Sequence, residues 1–209
     1  MTLIIDHPVV LLLAPVLSLC IQQHLKCYTK AGGEGQAKVF TDAHSDLANY
    51  TPWDDSISSC CGTGTWILHA DKKYNNHYQD TAAVYKIYGH KICVNIPEEL
   101  DNQVSSLRYA GSKADWCFPS LNLYYGPSFS GVDYAWYFKD MSNLGSVAVQ
   151  SLVVNGDSAW TLYQAENYLG MSVCVLPNST GACLPNFYTD TFVIGSIKKG
   201  CLVDDMEPL

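Results

Sequence analysis

The sequence has few charged residues, a single arginine and no long apolar run. Of 209 residues only 15% are charged, and Arg108 is the one arginine among 12 basic residues, against 20 acidic ones. A net charge of −8 with one guanidinium group provides neither a basic patch nor bidentate forks for phosphate, so no nucleic acid partner is expected. The longest apolar run, residues 9–20, is too short to cross a bilayer, so no membrane span is expected.

That apolar run has the length of the hydrophobic part of a signal peptide. A cut before Ile21 would place the small residues Ser18 and Cys20 at the −3 and −1 positions. Residues 1–20 are therefore predicted to be a signal peptide that is removed, and the product is predicted to be secreted and extracellular. The alternative is a buried N-terminal strand, because the leading segment carries Asp6 and no Lys or Arg.

Removal of Cys20 leaves eight of the nine cysteines, four in each half of the chain. They are Cys27, Cys60, Cys61 and Cys93, then Cys117, Cys174, Cys183 and Cys201. An even count in a secreted chain predicts disulfides, two in each half, with three connectivities open in each. No C-x₂-C pair or Cys/His ligand spacing occurs, so structural zinc is not expected. Sequons at Asn49 and Asn178 agree with a secreted glycoprotein.

Glycine, proline, tyrosine and β-branched residues are spread evenly, which predicts an all-β protein of short strands. An internal repeat supports this. An aromatic residue is followed seven positions later by glycine in three segments, Tyr28–Gly35, Tyr124–Gly131 and Tyr163–Gly170. A fourth copy, His69–Asn76, is found by matching Trp66 to Trp160, and its asparagine is expected to take the positive φ of the glycine. The chain is thus a duplicated pair, each copy beginning a Greek key of four strands.

The repeat resembles the βγ-crystallin signature, an aromatic residue, four residues, an aromatic residue, any residue, then glycine. Two hexapeptides, Asp54–Ser59 (DDSISS) and Asp101–Ser106 (DNQVSS), also fit that family's calcium-binding consensus of two Asp or Asn, two free positions, Ser or Thr, and Ser. The resemblance extends from about residue 26 to 202. It implies an all-β chain of two βγ-crystallin-like Greek-key β-sandwich domains.

The implied domains are residues 21–110, which carry both calcium motifs, and residues 117–202, whose motifs are degenerate. A linker is expected at residues 111–116, inside a stretch from Arg108 to Trp116, and residues 203–209 are expected to form a tail. The segments that end at Ser151 (SVAVQS) and Ser196 (TFVIGS) lack the acidic pair. Calcium binding is therefore expected in the first domain and not in the second.

The resemblance also implies a ligand set, in which calcium lies between the paired motifs and the ligands cross from one motif to the other. Side-chain ligands would be Asp55 and Ser58 from the first loop and Asn102 and Ser105 from the second. Asp54 and Asp101 would brace the loops, and the main-chain carbonyls of Ser56, Gln103, Thr29 and Ala70 would add oxygens, which Ca²⁺ prefers. The alternative is that both loops are ordinary turns, since Asp, Asn and Ser favour turns.

Other interpretations are weaker. His69, His77 and His90 lie in one Greek key and could hold a transition metal, and His44 lies between Asp42 and Asp46 as in a catalytic dyad. No nucleophile motif accompanies that histidine, so no catalytic residue and no organic cofactor is predicted. The five tryptophans are expected to fill sandwich cores rather than bind carbohydrate.

The function expected is that of a secreted, non-enzymatic calcium-binding protein with a structural or protective extracellular role and an unknown protein partner. The alternative is an interaction module, either a toxin or antimicrobial protein, like the killer toxins of this fold, or a protease inhibitor or partner of a pore-forming protein. An exposed apolar patch on the second domain would favour the alternative.

Overall fold

The computed structural model describes residues 21–76, 82–131, 133–177, 182–184 and 192–201. The predicted signal peptide, the tail at residues 203–209, His77 and the Asn178 sequon lie outside these ranges. The described chain is almost entirely antiparallel β-structure, and its one α-helix is a single turn, α1 (Lys72–Asn75). The all-β prediction is confirmed. No helix in the described ranges is long and apolar enough to span a membrane.

Five strands form the sheet of the first half: β1 (His24–Lys30), β2 (Glu34–Phe40), β3 (Ser59–His69), β4 (Val84–Asn95) and β5 (Ser106–Tyr109). Their order is β2-β1-β3-β4, with β5 also paired to β3. The long strand β3 is central because its first part pairs with β1, its second part pairs with β5, and β4 follows it along the other edge. Nearly every residue of β3 is buried as a result.

Among the described residues, the second half has nine strands: β6 (Ser120–Tyr124), β7 (Asp133–Tyr137), β8 (Val147–Val149), β9 (Ser151–Asn155), β10 (Trp160–Tyr163), β11 (Ser172–Val175), β12 (Ala182–Leu184), β13 (Phe192–Ile194) and β14 (Ser196–Lys199). They form sheets in the orders β12-β9-β6-β7 and β11-β10-β14, plus the pair β13-β8. Strands β9 and β10 correspond to the two parts of β3, now separated at Gly156, which has a φ of +77°.

Each half has its own hydrophobic core. The first core includes Trp53 and Trp66, and the second includes Trp160, all at most 6% exposed. The prediction that tryptophans fill the cores is confirmed for these three. Burying such large side chains supplies most of the apolar area that stabilises a small sandwich.

A third buried cluster joins the two halves. It is formed by Ile67, Ala110, Tyr124, Phe129 and Val153. Polar contacts surround it: the Thr65 hydroxyl donates to the Asn155 side chain at 2.7 Å, and the Gly111 amide donates to the Asn122 side chain at 2.9 Å. The two halves therefore meet through packed apolar groups and hydrogen-bonded polar groups.

Arg108 opens the stretch, residues 108–116, within which the linker at residues 111–116 was expected, and it lies on a strand of the first half. It lies on β5 opposite Ile67 and is 1% exposed. Its guanidinium lies 4.4 Å from the centre of the Tyr74 ring and 4.5 Å from that of Tyr124, and it donates to the main-chain carbonyls of Phe129 and Gly131. The nearby Gly and Ser suggested a polar connector. Instead, one aromatic ring from each half and two carbonyls from the second half bind this cation inside the protein.

Three disulfides join cysteines within one half each: Cys27–Cys60, Cys61–Cys93 and Cys174–Cys201. The expectation of two disulfides in the first half is confirmed. In the second half one is seen. The exposed Cys117 has no disulfide among the described residues, and the structure does not describe the side chain of Cys183. Burial, with Asp115 nearby, raises the pKa of the Cys117 thiol.

The repeated hairpin turns adopt left-handed backbone in all four copies. Positive φ occurs at Gly33 and Gly35 in the first copy, for example, and at Asn167 and Gly170 in the last copy along the chain, Tyr163–Gly170. The expectation for Asn76 is wrong: its φ is −65°, because its amide closes a helical turn onto the carbonyl of Lys73. The left-handed residues of that copy are Lys73, Tyr74 and Asn75.

Candidate functional site

One serine holds the hairpin turn in every repeat. These serines are Ser59, Ser106, Ser151 and Ser196. Each hydroxyl donates to a carbonyl of the turn (Lys30, Asp71, Gly126 or Ala165) and accepts an amide hydrogen from it (Gly33, Tyr74, Phe129 or Tyr168), at 2.5–3.1 Å. The last serine of the hexapeptide motif is therefore a scaffold residue, present whether or not the acidic pair precedes it.

The two acidic hexapeptides of the first half lie against each other. We refer to residues 54–59 as acidic loop 1 and residues 101–106 as acidic loop 2. The Asp55 amide donates to the Val104 carbonyl and the Asn102 amide donates to the Ile57 carbonyl, both at 3.2 Å. Ile57 and Val104 are fully buried in the first core, which holds the two loops in this register.

Side chains cross between the acidic loops in the same pairwise manner. The Ser105 hydroxyl donates to Asp55 Oδ1 at 3.1 Å, and the Ser58 hydroxyl donates to Asn102 Oδ1 at 3.2 Å. Asp55 and Asn102 have φ values of +51° and +55°, a conformation that Asp and Asn tolerate better than most residues. The four predicted side-chain ligands thus meet as two crossed pairs.

Two hairpin turns approach these pairs. The Ser58 amide donates to the Tyr28 carbonyl at 2.9 Å, and the Ser105 amide donates to the His69 carbonyl at 3.0 Å. The predicted carbonyl donors Thr29 and Ala70 are the next residues along the chain. We call the group Asp55, Ser105 and Ala70 site A, and the group Asn102, Ser58 and Thr29 site B.

The remaining predicted residues differ in their contacts. Gln103 follows Asn102, and its amide donates to the Leu100 carbonyl at 3.0 Å. Ser56 follows Asp55, and its hydroxyl donates to the Pro52 carbonyl at 2.6 Å, so its side chain holds the start of acidic loop 1. For both residues only the main-chain carbonyl was predicted to contribute.

Asp54 and Asp101, the residues expected to brace the loops, each have one buried carboxylate oxygen. The Oδ1 atom of each is buried and accepts no hydrogen bond from the described residues. A buried carboxylate oxygen without a partner is costly, by kilocalories per mole rather than tenths. Its recurrence at equivalent positions of both loops indicates a local need for positive charge or donors.

Lys72 is a further residue at this site, which the sequence analysis missed. Its ammonium lies 3.1 Å from Asp46 Oδ1. The hydrogen bond to Asp46, aided by the charges of Asp54 and Asp55, raises the pKa of Lys72. Acidic loop 1 is thus negative enough to affect a neighbouring cation, and the only sequence signal was that Lys72 lies two residues beyond Ala70.

The donors at sites A and B are carboxylate, amide, hydroxyl and main-chain carbonyl oxygens. Within the described ranges no three His, Cys, Asp or Glu side chains come together, so those ranges hold no nitrogen- or sulfur-rich metal cluster. Oxygen donors of mixed type on short loops suit Ca²⁺, which accepts irregular geometry and fills open positions with water. The residues present therefore fit the ion that the resemblance implies.

The corresponding segments of the second half have the same backbone pairing and different side chains. Val147–Val149 pairs with Phe192–Ile194 as β8 and β13, with Val147 opposite Ile194 and Val149 opposite Phe192. Gly195 stands in the place of Ser105, and a Cβ atom there would come within 2.4 Å of the Ala165 carbonyl carbon. These segments therefore offer no side-chain oxygen where Asp55, Asn102 and Ser105 offer one.

The histidines form no shared site among the described residues. The fully buried His69 lies with Nε2 3.1 Å from the Phe129 carbonyl oxygen, and burial together with Arg108 lowers its pKa well below the ordinary value. His90 lies with Nδ1 3.4 Å from the Thr63 hydroxyl. The neutral His69 is therefore part of the contact between the halves.

His44 does not form a dyad with its neighbouring carboxylates. Its ring packs edge-on against Phe40 and Tyr50, with ring centres 5.3 and 4.6 Å apart. Asp42 pairs with Lys113, and Asp46 pairs with Lys72 and accepts the Ala48 amide hydrogen. Both carboxylates are engaged elsewhere, so the geometry supports a packing role for His44.

Comparisons with known proteins identify the fold. No protein-family model and no curated protein sequence matches the chain. Geodin, a βγ-crystallin from Geodia cydonium, superposes with a TM-score of 0.64 and 16% identity over 86% of this chain and 99% of its own. Protein S, solved in complex with calcium, aligns over 85% of this chain and 99% of its own at 17% identity, with a TM-score of 0.33. Its match is too loose to add to the argument. Together with the repeated turns and scaffold serines, the match to Geodin shows that this chain has the βγ-crystallin fold.

Proposed function

We propose that this chain is a secreted, non-enzymatic calcium-binding protein whose role is structural or protective. In this proposal residues 21–110 form a domain that binds calcium at sites A and B. Residues 117–202 form a second domain of the same fold without a calcium site, and residues 111–116 join the two. Disulfides in both halves agree with an oxidising, extracellular compartment.

The observation that carries the proposal is the pair of buried, unpartnered carboxylate oxygens of Asp54 and Asp101 beside the crossed loops. Each lies next to a residue whose side-chain oxygen already faces a serine hydroxyl of the other loop. A divalent cation would satisfy several such oxygens at once. Ordinary Asp and Ser turns would leave no matched pair of orphaned oxygens.

Each residue has a defined part in the proposed sites. Site A would use Asp55 and Ser105 side-chain oxygens with the Ala70 carbonyl, and site B would use Asn102, Ser58 and the Thr29 carbonyl. Ser56 and Gln103 carbonyls, and Asp54 and Asp101, would complete the oxygen set. Site A should bind more tightly because Asp55 carries a charge and Asn102 does not. Extracellular calcium modules of this kind have dissociation constants of roughly 0.1–1 mM.

Isothermal titration calorimetry with calcium on the full secreted chain, residues 21–209, tests the proposal. We expect two binding events of unequal affinity. The double variant Asp55→Ala/Asn102→Ala should lose both, because it removes the crossed oxygens. The matched control is Glu98→Gln, which removes the same single charge from an exposed position near acidic loop 2 and should keep both. Absence of heat from calcium with the unmodified protein would refute the assignment.

One observation favours the interaction-module alternative. Eight large apolar or aromatic side chains are exposed among the described residues, and six of them belong to the second half: Phe118, Tyr125, Leu169, Met171, Leu176 and Val193. Leu169 and Met171 flank Gly170 at one turn, and both are more than 60% exposed. If this half acts on microbial cells, the double variant Leu169→Ser/Met171→Ser should lose growth inhibition of fungi or bacteria. Equal inhibition, or none from either protein, would exclude this role for the turn.

A further inference from the structure

We propose that calcium bound in the first half is coupled to the second half through one hairpin turn, residues 69–76. The inference rests on the proposed calcium function and specifies what that site would regulate. The turn is shared: one side of it is held by acidic loop 2, and the other side contacts the second half.

Acidic loop 2 holds the turn at three points. The Ser105 amide donates to the His69 carbonyl at 3.0 Å. The Ser106 hydroxyl donates to the Asp71 carbonyl at 2.5 Å and accepts the Tyr74 amide hydrogen at 3.1 Å. Ala70, a proposed site A ligand, lies between the first two points. A displacement of acidic loop 2 therefore has to move the turn.

The same turn contacts the third repeat along the chain, Tyr124–Gly131, which belongs to the second half. The Gly131 amide donates to the Tyr74 carbonyl at 2.9 Å, and His69 Nε2 lies 3.1 Å from the Phe129 carbonyl oxygen. The approach is close, because a Cβ atom on Gly131 would be 3.0 Å from Asn76 Oδ1. Two hairpin turns of the repeat thus meet directly across the junction.

Arg108 provides a second connection between the strand that follows acidic loop 2 and the third repeat. It lies two residues beyond Ser106 on β5, with its guanidinium between the rings of Tyr74 and Tyr124. It donates to the carbonyls of Phe129 and Gly131, the residues that also contact the turn. Acidic loop 2 and the third repeat are therefore linked through the turn and through Arg108, each of which contacts the third repeat directly.

Calcium would act on this link by restricting the loop. Two members of site A, Ser105 and Ala70, belong to acidic loop 2 and to the turn. An ion that holds them together disfavours states in which the turn has separated from the third repeat. Coupling of binding free energies is reciprocal, so an intact junction must also raise calcium affinity. The second half would gain protection from an ion that it does not bind.

Hydrogen exchange measured by mass spectrometry on residues 21–209 tests the coupling, in chelator and in calcium at about 5 mM, above the range for extracellular modules. In the unmodified protein, calcium should slow exchange in both acidic loops and also in peptides that cover residues 120–131 and 151–155. In Arg108→Gln the protection of the acidic loops should remain and that of the second half should disappear. Its calcium affinity should fall at least about fivefold.

Lys198 provides the matched control, because it occupies the position of Arg108 in the fourth repeat, with Nζ 5.7 Å from the Tyr168 ring. Lys198→Gln should keep the protection and the affinity of the unmodified protein. Arg108→Lys, a milder change, serves if Arg108→Gln does not fold, and it should lose part of the coupling.

Protection of the acidic loops with no change in the second half of the unmodified protein would overturn the coupling and leave the calcium function standing. No protection in the acidic loops would overturn both. Full second-half protection in a folded Arg108 variant with undiminished affinity would overturn the proposed route.

Discussion

In the first half Asp55 and Asn102 lie opposite Val104 and Ile57, and in the second half Val147 and Phe192 lie opposite Ile194 and Val149. The backbone pairing is the same, and the inner positions are apolar in both halves, namely Ile57, Val104, Val149 and Ile194. The outer positions are Asp55 and Asn102 in the first half and Val147 and Phe192 in the second. The outer positions differ, since Asp55 is exposed whereas Val147 is 8% exposed. One pair of segments became an oxygen-rich surface, and the other became a short strand pair in which Val147, Val149 and Ile194 are buried.

This difference separates two requirements that the hexapeptide motif combines. The scaffold serines hold the hairpin turns in both halves, so the fold needs them everywhere. The acidic pair, and the serine just before the scaffold serine, are present only in the first half, where their oxygens lie together. A motif that has lost its acidic residues therefore still predicts the fold, while it stops predicting an ion.

The largest expected effect on stability comes from placing a carboxylate at an outer position of the second half. Val147→Asp should destabilise the protein by about 3 kcal/mol or more, because it places a carboxylate at a buried position and removes apolar packing. Asp55→Asn, in the corresponding exposed position, should change the free energy of unfolding by less than about 0.5 kcal/mol in chelator. Urea unfolding measures both. Similar costs for the two variants would contradict the contrast between the halves.

Removing a scaffold serine should be nearly as costly and independent of calcium. Ser59→Ala and Ser151→Ala each delete two hydrogen bonds and leave a partly or fully buried amide without its acceptor, which should cost about 1–3 kcal/mol. Thermal melts in chelator check this. The equivalence of the two halves fails if the loss is confined to one of them.

Calcium should stabilise the protein by mass action, by about 1.4 kcal/mol at ten times the dissociation constant. The double variant Ser58→Ala/Ser105→Ala should lose most of the resulting rise in melting temperature, because both hydroxyls belong to the crossed pairs. Ser56→Ala is the matched control, since its hydroxyl donates to Pro52 instead. A calcium-induced rise that survives in the double variant would place the ion elsewhere.

The smallest effect concerns acid sensitivity, which should also differ between the halves because all six histidines precede residue 91. Burial, with Lys38 nearby, holds the pKa of His44 below its ordinary value of 6.5. The unfolded chain then takes up a proton first, so stability should decline as pH falls through about 6.5 and level off below the folded-state pKa. His44→Phe should show a shallower decline than the unmodified protein between pH 7.5 and 5 in urea titrations. Parallel curves for the two proteins would contradict this role of His44.

The fold was predictable from sequence because it depends on local signals. The spacing of aromatic residues and glycines sets the turns, and the DDSISS and DNQVSS segments are contiguous in the chain. The contacts of Arg108 were not predictable because its partners, Phe129 and Gly131, come from another repeat and no local pattern marks them. Asn76 was misassigned because one helical turn moved the left-handed position to its neighbour. The orphaned oxygens of Asp54 and Asp101 depend on burial, which the residue types alone do not determine.

The adjacent cysteines of β3 have a consequence for how the chain matures. Side chains alternate along a strand, so Cys60 and Cys61 point to opposite faces, and each bonds to a different neighbouring strand, Cys27 on β1 and Cys93 on β4. A slip of one residue between β1 and β3 would bring Cys61 opposite Cys27 and turn the apolar face of the strand outward. Oxidation in the native register makes that slip impossible. Because Cys93 is synthesised after Cys27 and Cys60, the disulfide between those two can record the correct alignment of β1 and β3 before β4 has been made.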